Sequence, residues 1–183
     1  MADPAVTIII PTLGLRERAA SLQTAIDSAL EQTGVCPTVI VVLNGPRRSA
    51  EVERSLQNDT RITLVTVEAR GLPNALIVGR SMVRTPWFTA LDDDDFYLPG
   101  ALLLRVRALE QRADCAAVVT NGYRRSGAGD ELHVQPTQDV NADPIRSMLE
   151  RNWCLPGSWL CPHALVGVSA FGGMPSFLDC PYL

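Results

Sequence analysis

The chain contains no lysine; all 16 of its basic residues are arginine. That removes the phosphate-gripping lysine of a P-loop and any Schiff-base chemistry. The arginine and alanine richness is what GC-rich coding produces, and it carries no functional meaning by itself. A basic field is missing too. The net charge is -4, so nothing draws the chain to nucleic acid or anionic lipid. The cysteines lack metal-site spacing: Cys36, Cys115, Cys154, Cys161 and Cys180 are odd in number and show no CxxC pair. Cys161 and His163 stand two apart, but zinc needs four ligands, and the expectation is reduced, buried thiols. No stretch approaches the ~20 apolar residues of a spanning helix. The opening "MADPAVTIIIPT" is acidic, with an apolar run too short for a signal peptide. These absences point to the cytoplasm, with no bar to peripheral attachment at the inner face of a membrane.

With 183 residues, 46% of them hydrophobic and 20% charged, the chain has what one ordinary globular domain with a real core needs. Val6 to Ile10 is a β-branched run closed by Pro11, the pattern of a buried strand. Glu17 to Glu31 turns helical, with Leu22, Ile26, Ala29 and Leu30 on one face and Gly34 past the end. Thr38 to Leu43 reads as a second strand, Ser49 to Leu56 as a helix, Ile62 to Val67 as a third strand. A helix over about Asn74 to Val83 leads to a fourth strand, Trp87 to Leu91. Another helix aligns Leu102, Val106 and Leu109, followed by the apolar run Ala116 to Thr120. This alternation predicts an α/β fold, a mostly parallel sheet with helices on both faces. Beyond Thr120 the rhythm breaks into a hairpin around "SGAG", a helix opened by Asp143-Pro144 and running to about Asn152, and a tail without clear period.

The stretch "FTALDDDDFYLPGAL" puts Asp92, Asp93, Asp94 and Asp95 in a row after the fourth strand. In open α/β sheets ligands collect outside the carboxyl ends of the strands. Converging carboxylates there make an oxygen-rich site suited to Mg²⁺ or Mn²⁺, and a cation offsets their repulsion. The competing reading is a solvated acidic turn with one aspartate capping the helix near Ala101. A calcium EF-hand is excluded. Counted from Asp92, the sixth and twelfth positions are Tyr97 and Leu103, where glycine and glutamate are required; counted from Asp95, Gly100 fits but Val106 does not.

"VTIIIPTLG", "VIVVLNGP", "GLPNALIVGR" and "WFTALDDDDFYLPGAL" together resemble the successive motifs of family-2 glycosyltransferases with the GT-A fold. The later "GSWLCPHALVGVSAFGGM" is similar to the family's strand and turn before its catalytic base. The resemblance covers about Val6 to Leu183. It implies a single GT-A (Rossmann-like) domain over 1–183, with a nucleotide-binding part to about 120 and an acceptor-side part over 121–183. It implies an inverting transferase using a UDP-, GDP- or dTDP-sugar donor, Mn²⁺ or Mg²⁺, and a saccharide or other hydroxyl acceptor. Asp92 and Asp94 then form the DXD pair, Asp94 nearest the metal and Asp92 nearest the donor, with Asp93 beside them on the nucleotide-sugar side. The frame Asp93 and Asp95 stays open.

By the same resemblance, Pro11, Thr12 and Leu13 border the nucleotide base, and Asn44 stands where the family has an aspartate reading it. An amide there either binds a base edge or holds a turn. Leu76 and Ile77 replace the family's Arg-Asn pair, so Arg70 or Arg80 supplies that donor contact or it is lost; otherwise both arginines read as surface residues at helix ends. Gly71 and Gly79 are close-approach or packing glycines. Asp179, beyond the "FGG" turn, matches the general base, although Leu178 stands where a glutamate usually precedes it. The chain stops four residues later, which suggests a piece of a longer protein. These departures feed an alternative of another class, a non-catalytic module of the same fold that holds a nucleotide sugar or a partner.

Overall fold

The computed structural model describes residues 2–112, 114–133, 140, 142–150 and 153–171. Its first half repeats strand and helix: β1 Ala5–Thr12, α1 Ala19–Leu30, β2 Cys36–Asn44, α2 Ala50–Asn58, β3 Ile62–Val67, α3 Leu72–Met82, β4 Trp87–Ala90 and α4 Ala101–Glu110. Strand β5 is only Val118–Val119, the hairpin is β6 Tyr123–Ser126 with β7 Gly129–Leu132, and β8 is Trp159–Pro162. The main sheet has six strands in the order β3-β2-β1-β4-β8-β5. β1 pairs in parallel with both β2 and β4, and β2 with β3. β8 is antiparallel to β4 and β5 and lies between them. The expected mostly parallel sheet is what forms. The strand hidden in the tail was the part without a readable pattern, because four residues are too few to show a period.

Side-chain alternation along β1 sorts the core into two layers. Val6, Ile8 and Ile10 point into a cluster with Leu22, Ile26 and Ala29 of α1, Val52 and Leu56 of α2, and Leu102, Val106 and Leu109 of α4. Ile9 points the other way, into a cluster with Ile40 and Val42 of β2, Ala75 and Leu76 of α3, and Phe88. Helices therefore cover both faces, as a parallel sheet requires. The helix after Asp143 also forms, as Pro144–Glu150, with Asp143 Oδ1 accepting from the Arg146 N–H at 3.1 Å.

α3 lies close to the sheet at Gly79. A β-carbon there would collide with Ile9 Cγ2 and stand 3.3 Å from both Ile9 Cγ1 and Val42 Cγ2. Gly79 is thus a packing glycine, and a larger residue must push the helix off the sheet. Gly79→Val is expected to destabilise the fold by about 1–3 kcal/mol, measured by urea unfolding. Gly127→Ala, at the hairpin turn where an added β-carbon meets nothing within 4 Å, should stay within about 0.5 kcal/mol.

Candidate active site

Because β1, β2 and β4 run parallel, Thr12, Asn44 and Ala90 end side by side. The chain winds from β1 outward to β2 and β3, then returns to place β4 on the other flank of β1. The gap between β1 and β4 is therefore the topological switch point, the place where open α/β sheets bind ligands. The Leu91 N–H still donates to Ile9 O at 2.9 Å, and the four aspartates follow directly.

They are not equivalent. Asp93 is 5% exposed and fully engaged: Thr12 Oγ1 donates to its Oδ2 at 2.6 Å, and Arg18 Nη1 donates to its Oδ1. The second arm of Arg18, Nη2, reaches Asp94 Oδ2 at 3.0 Å. The hydrogen bond to Asp93, and then its charge, raise the Arg18 pKa further above its already high value. Asp92 is half-buried, and no hydrogen-bond donor among the described residues reaches its carboxylate. Burial above all, then the charges of Asp95, Asp94 and Asp93, push its pKa up to about 6. Asp95 is also raised, by burial first and Asp94 second. None of the four caps α4, whose N-terminal residue is Gly100 in the left-handed region with no side-chain cap.

The turn that carries the aspartates is fixed from below. Ser28 Oγ on α1 accepts from the Tyr97 N–H at 3.1 Å. Gln32 donates to Leu98 O at 3.1 Å and accepts from the Leu102 N–H at 3.2 Å. Tyr97 is buried and donates to Ala90 O at 3.2 Å, while Arg105 lies 5.1 Å over its ring and donates to Gly157 O at 2.7 Å.

Two clefts open near this end of the sheet, and the second borders the acidic turn. One, of about 530 Å³, is lined by Leu13, Leu15, Asn44, Pro46, Arg47 and Arg70. The other, of about 600 Å³, runs from Asp94 and Asp95 past Phe96 and Leu104 to Tyr123, Arg124 and Arg125 on the hairpin. Leu13 and Asn44 line the first cleft, whereas Pro11 and Thr12 are buried in the end of β1. The Asn44 amide donates to Thr12 O at 3.0 Å and accepts from the Gly71 N–H at 3.2 Å. It ties the β1 end to the loop before α3. Arg70 borders the cleft; Arg80 does not, and it is no surface residue either. It is 4% exposed, donates to Val166 O and His163 O at 2.6 and 2.8 Å, and stacks 4.5 Å from the Phe88 centroid. Asp179 lies outside the described residues.

Arg18 is the site residue that sequence reasoning passed over. Its signal was positional: "PTLGLRER" leaves the carboxyl end of β1, the same sheet end as the aspartates, and carries the cations nearest to them.

As a cation site, the turn offers carboxylate oxygens, the donors Mg²⁺ and Mn²⁺ prefer. Among the described residues no three His, Cys, Asp or Glu side chains converge into a ready cage. Such ions are commonly held by one or two carboxylates plus water and substrate phosphates. The residues therefore fit an ion shared with a phosphorylated ligand, with Asp94 exposed to it and the Asp92 carboxylate bonded to no donor among the described residues, although the Arg18 charge acts on it. The four described cysteines are free thiols, but the expected burial holds for Cys161 alone: Cys36 is exposed, and Cys115 and Cys154 are partly exposed. Burial pushes the Cys161 thiol up to about 11, which agrees with a role in packing for that one.

The architecture, a mostly parallel sheet with an acidic turn at its switch point, is the GT-A fold. It matches a Pyrobaculum calidifontis mannosyltransferase solved with GDP-mannose and Mn²⁺, with a TM-score of 0.63 and 20% identity over 96% of this chain and 48% of that one. It also matches Staphylococcus aureus TarS residues 1–349, with a TM-score of 0.55 and 10% identity over 87% of this chain and 47% of that one. At these identities the likeness speaks for the fold alone. The profile of glycosyl transferase family 2 matches residues 7–166, and the chain belongs to that family. Relatives named as uncharacterized glycosyltransferases occur in Rickettsia bellii (strain RML369-C), 29% identical over 80% of this chain, and Rickettsia felis (strain ATCC VR-1525 / URRWXCal2), 31% identical over 66%. The chain spans 21% and 20% of their lengths.

The Asp92 pKa makes a stability prediction. Its folded pKa, about 6 against an ordinary 3.8, means that ionisation opposes folding. The penalty is absent below pH ~4, grows between pH ~4 and ~6 and is complete above, so it lowers stability as pH rises. In the presence of a chelator, Asp92→Asn should raise the melting temperature at pH 7 by a few °C. The difference from the parent should vanish at pH 4. A gain independent of pH would show that the carboxylate is not the source.

Proposed function

We propose that this chain is the donor-binding core of a metal-assisted, inverting glycosyltransferase that moves a sugar from a nucleotide-diphosphate sugar to an acceptor hydroxyl. The observation that carries the reading is the meeting of Thr12, Arg18 and the Asp92–Asp95 turn at the switch point, with one open cleft bordering the turn and another at the ends of β1 and β2. The nucleoside belongs in the cleft of Leu13, Asn44 and Arg70, where apolar walls and two arginines, Arg47 and Arg70, suit a planar base on a charged tail. The diphosphate then lies along the acidic turn, close to Arg18. Asp94 and Asp92 would hold the Mn²⁺ or Mg²⁺, which when bound neutralises charge on the leaving diphosphate.

The cleft past Phe96 takes the acceptor. Phe96 and Tyr123 are exposed aromatic faces there, and Arg125, stacked 5.0 Å over Phe96, stiffens that wall. Asp179 is proposed as the general base that removes the acceptor's proton as its oxygen attacks the anomeric carbon. The assignment rests on its spacing beyond the glycine turn. The non-catalytic alternative draws on the Asn44 amide, which is committed to backbone groups, and on Arg80, which is committed away from the site. Turnover separates the two readings.

Calorimetric titration with UDP, GDP and dTDP, each with and without Mn²⁺, tests the site. At least one should gain affinity from the metal, and Asp94→Ala should remove that gain; no gain with any of the three overturns the assignment. The base has its own signature. Asp179→Asn should lower transfer by ~10²–10⁴-fold and leave donor affinity nearly unchanged, as for an interaction made mainly in the transition state. Product formation in a longer chain carrying this domain is the measurement, and near-normal turnover rejects Asp179.

A further inference from the structure

Arg18 is the one cation hydrogen-bonded to the acidic turn among the described residues, and its two arms do different things. Nη1 is bonded to Asp93, which is buried and also held by Thr12. Nη2 is bonded at 3.0 Å to Asp94, which is exposed and has no other hydrogen-bond partner among the described residues. The first contact is structural, since a buried carboxylate without a partner is costly. The second is open to solvent and easily exchanged, because exposed ion pairs contribute little. The arginine side chain is itself about half exposed, at 46%, on the short turn Arg16–Arg18 that leads into α1.

We propose that Arg18 couples metal binding to donor binding: it is the resident counter-cation of the aspartate turn, and it yields Asp94 to a divalent ion only when a diphosphate arrives to receive its free arm. This rests on the functional reading above. A divalent ion placed on Asp94 without a nucleotide meets a guanidinium already bonded to that carboxylate, so it must displace one positive charge and then sit beside it. A diphosphate reverses the balance. Its oxygens are ligands for the ion and acceptors for the released Nη2, while Nη1 stays on Asp93 and keeps the arginine aimed. Arginine suits this because its rigid fork spans two oxyanions at once, which an ammonium does not. Arg18 is thus a positioning residue whose effect is a coupling free energy between two ligands.

Arg18→Gln and Arg18→Lys test the idea, with folding checked by thermal unfolding and binding followed by calorimetry and by the free-ion signal of Mn²⁺ in electron paramagnetic resonance. In the parent, Mn²⁺ alone should bind weakly, and GDP or UDP should tighten it strongly. Arg18→Gln should bind Mn²⁺ alone about tenfold more tightly and bind the nucleotide at saturating Mn²⁺ about tenfold more weakly, so that most of the coupling, which typically spans about 5–150-fold, is lost. Arg18→Lys, whose compact ammonium does not span both carboxylates, should fall between parent and glutamine variant. Both variants should lower the melting temperature through the lost Asp93 contact, but a purely structural arginine would weaken both ligands together and leave their coupling intact. If the parent shows metal–nucleotide coupling and a folded Arg18→Gln retains it, this inference is overturned and the functional reading stands. If the parent binds none of GDP, UDP and dTDP more tightly with Mn²⁺, both fall.

Discussion

A carboxylate buried at the end of a sheet has to be paired, and Asp93 is paired with two groups that come from the strand beside it. Thr12 and Arg18 both belong to the segment leaving β1, whereas Asp93 belongs to the turn leaving β4. β1 and β4 are neighbours in the sheet but lie 81 residues apart along the chain at this contact. The bonds therefore close the switch point at its open end, where strand pairing has run out. Removing either partner would leave the Asp93 charge buried without full compensation, which is among the more destabilising changes a protein can undergo. The geometry of the acidic turn follows from this: with Asp93 pulled inward, Asp92 and Asp94, its neighbours in an irregular turn, are set toward half-buried and exposed positions.

That arrangement leaves charge uncompensated on purpose-bearing positions. Asp92 has no donor and is destabilised as an anion, and Asp95 is shifted in the same direction. A domain optimised only for stability would not keep four adjacent carboxylates there with one arginine among them. The turn tolerates the strain because its backbone is held independently of the carboxylates, by Ser28 of α1, by Gln32 just beyond α1 and by buried Tyr97 with Arg105 stacked upon it. Scaffold and charge are carried by different residues, which leaves the charged ones available for the cation and diphosphate of the proposed function. Sites of this kind are where local rules are broken at a cost that the rest of the fold absorbs.

Most of this was legible in the sequence wherever a segment was long enough to show a period. Strands such as Ile62–Val67 and helices such as Ala101–Glu110 announce themselves through β-branched runs and through Leu102, Val106 and Leu109. The sheet's far edge was not legible, because Val118–Val119 and Trp159–Pro162 are too short for periodicity and pair across 40 intervening residues or so. At the site, the aspartate turn and its place after the fourth strand could be read, since both follow from local pattern and a topological rule. What could not be read was the division of labour within the turn. Burial of Asp93, exposure of Asp94 and the two-armed contact from Arg18 depend on how distant segments meet. Arg80 teaches the same lesson in reverse: at a helix end it reads as a surface residue, yet Phe88 and two carbonyls from the 163–166 loop make it a buried anchor.

Asn44 is best understood through charge as well. Its amide donates to a carbonyl on one side and accepts from an N–H on the other, so it links the ends of β1 and β2 to the loop before α3 with both halves of the group. A carboxylate could accept from Gly71 but could not donate to Thr12 O, and that carbonyl would be left facing an anion. It would also add a buried negative charge at the same sheet end as four aspartates, where Arg18 is the only cation hydrogen-bonded to the turn among the described residues. The amide therefore does the structural work without deepening the negative potential. Under the proposed function, base recognition in the adjoining cleft would fall to its exposed groups, of which Arg47 and Arg70 are the cationic ones. The amide at Asn44 and the arginines in that cleft are then two sides of one electrostatic arrangement; under the proposed function, it would leave the acidic end of the sheet to the metal and diphosphate and the cleft of Arg47 and Arg70 to the rest of the nucleotide.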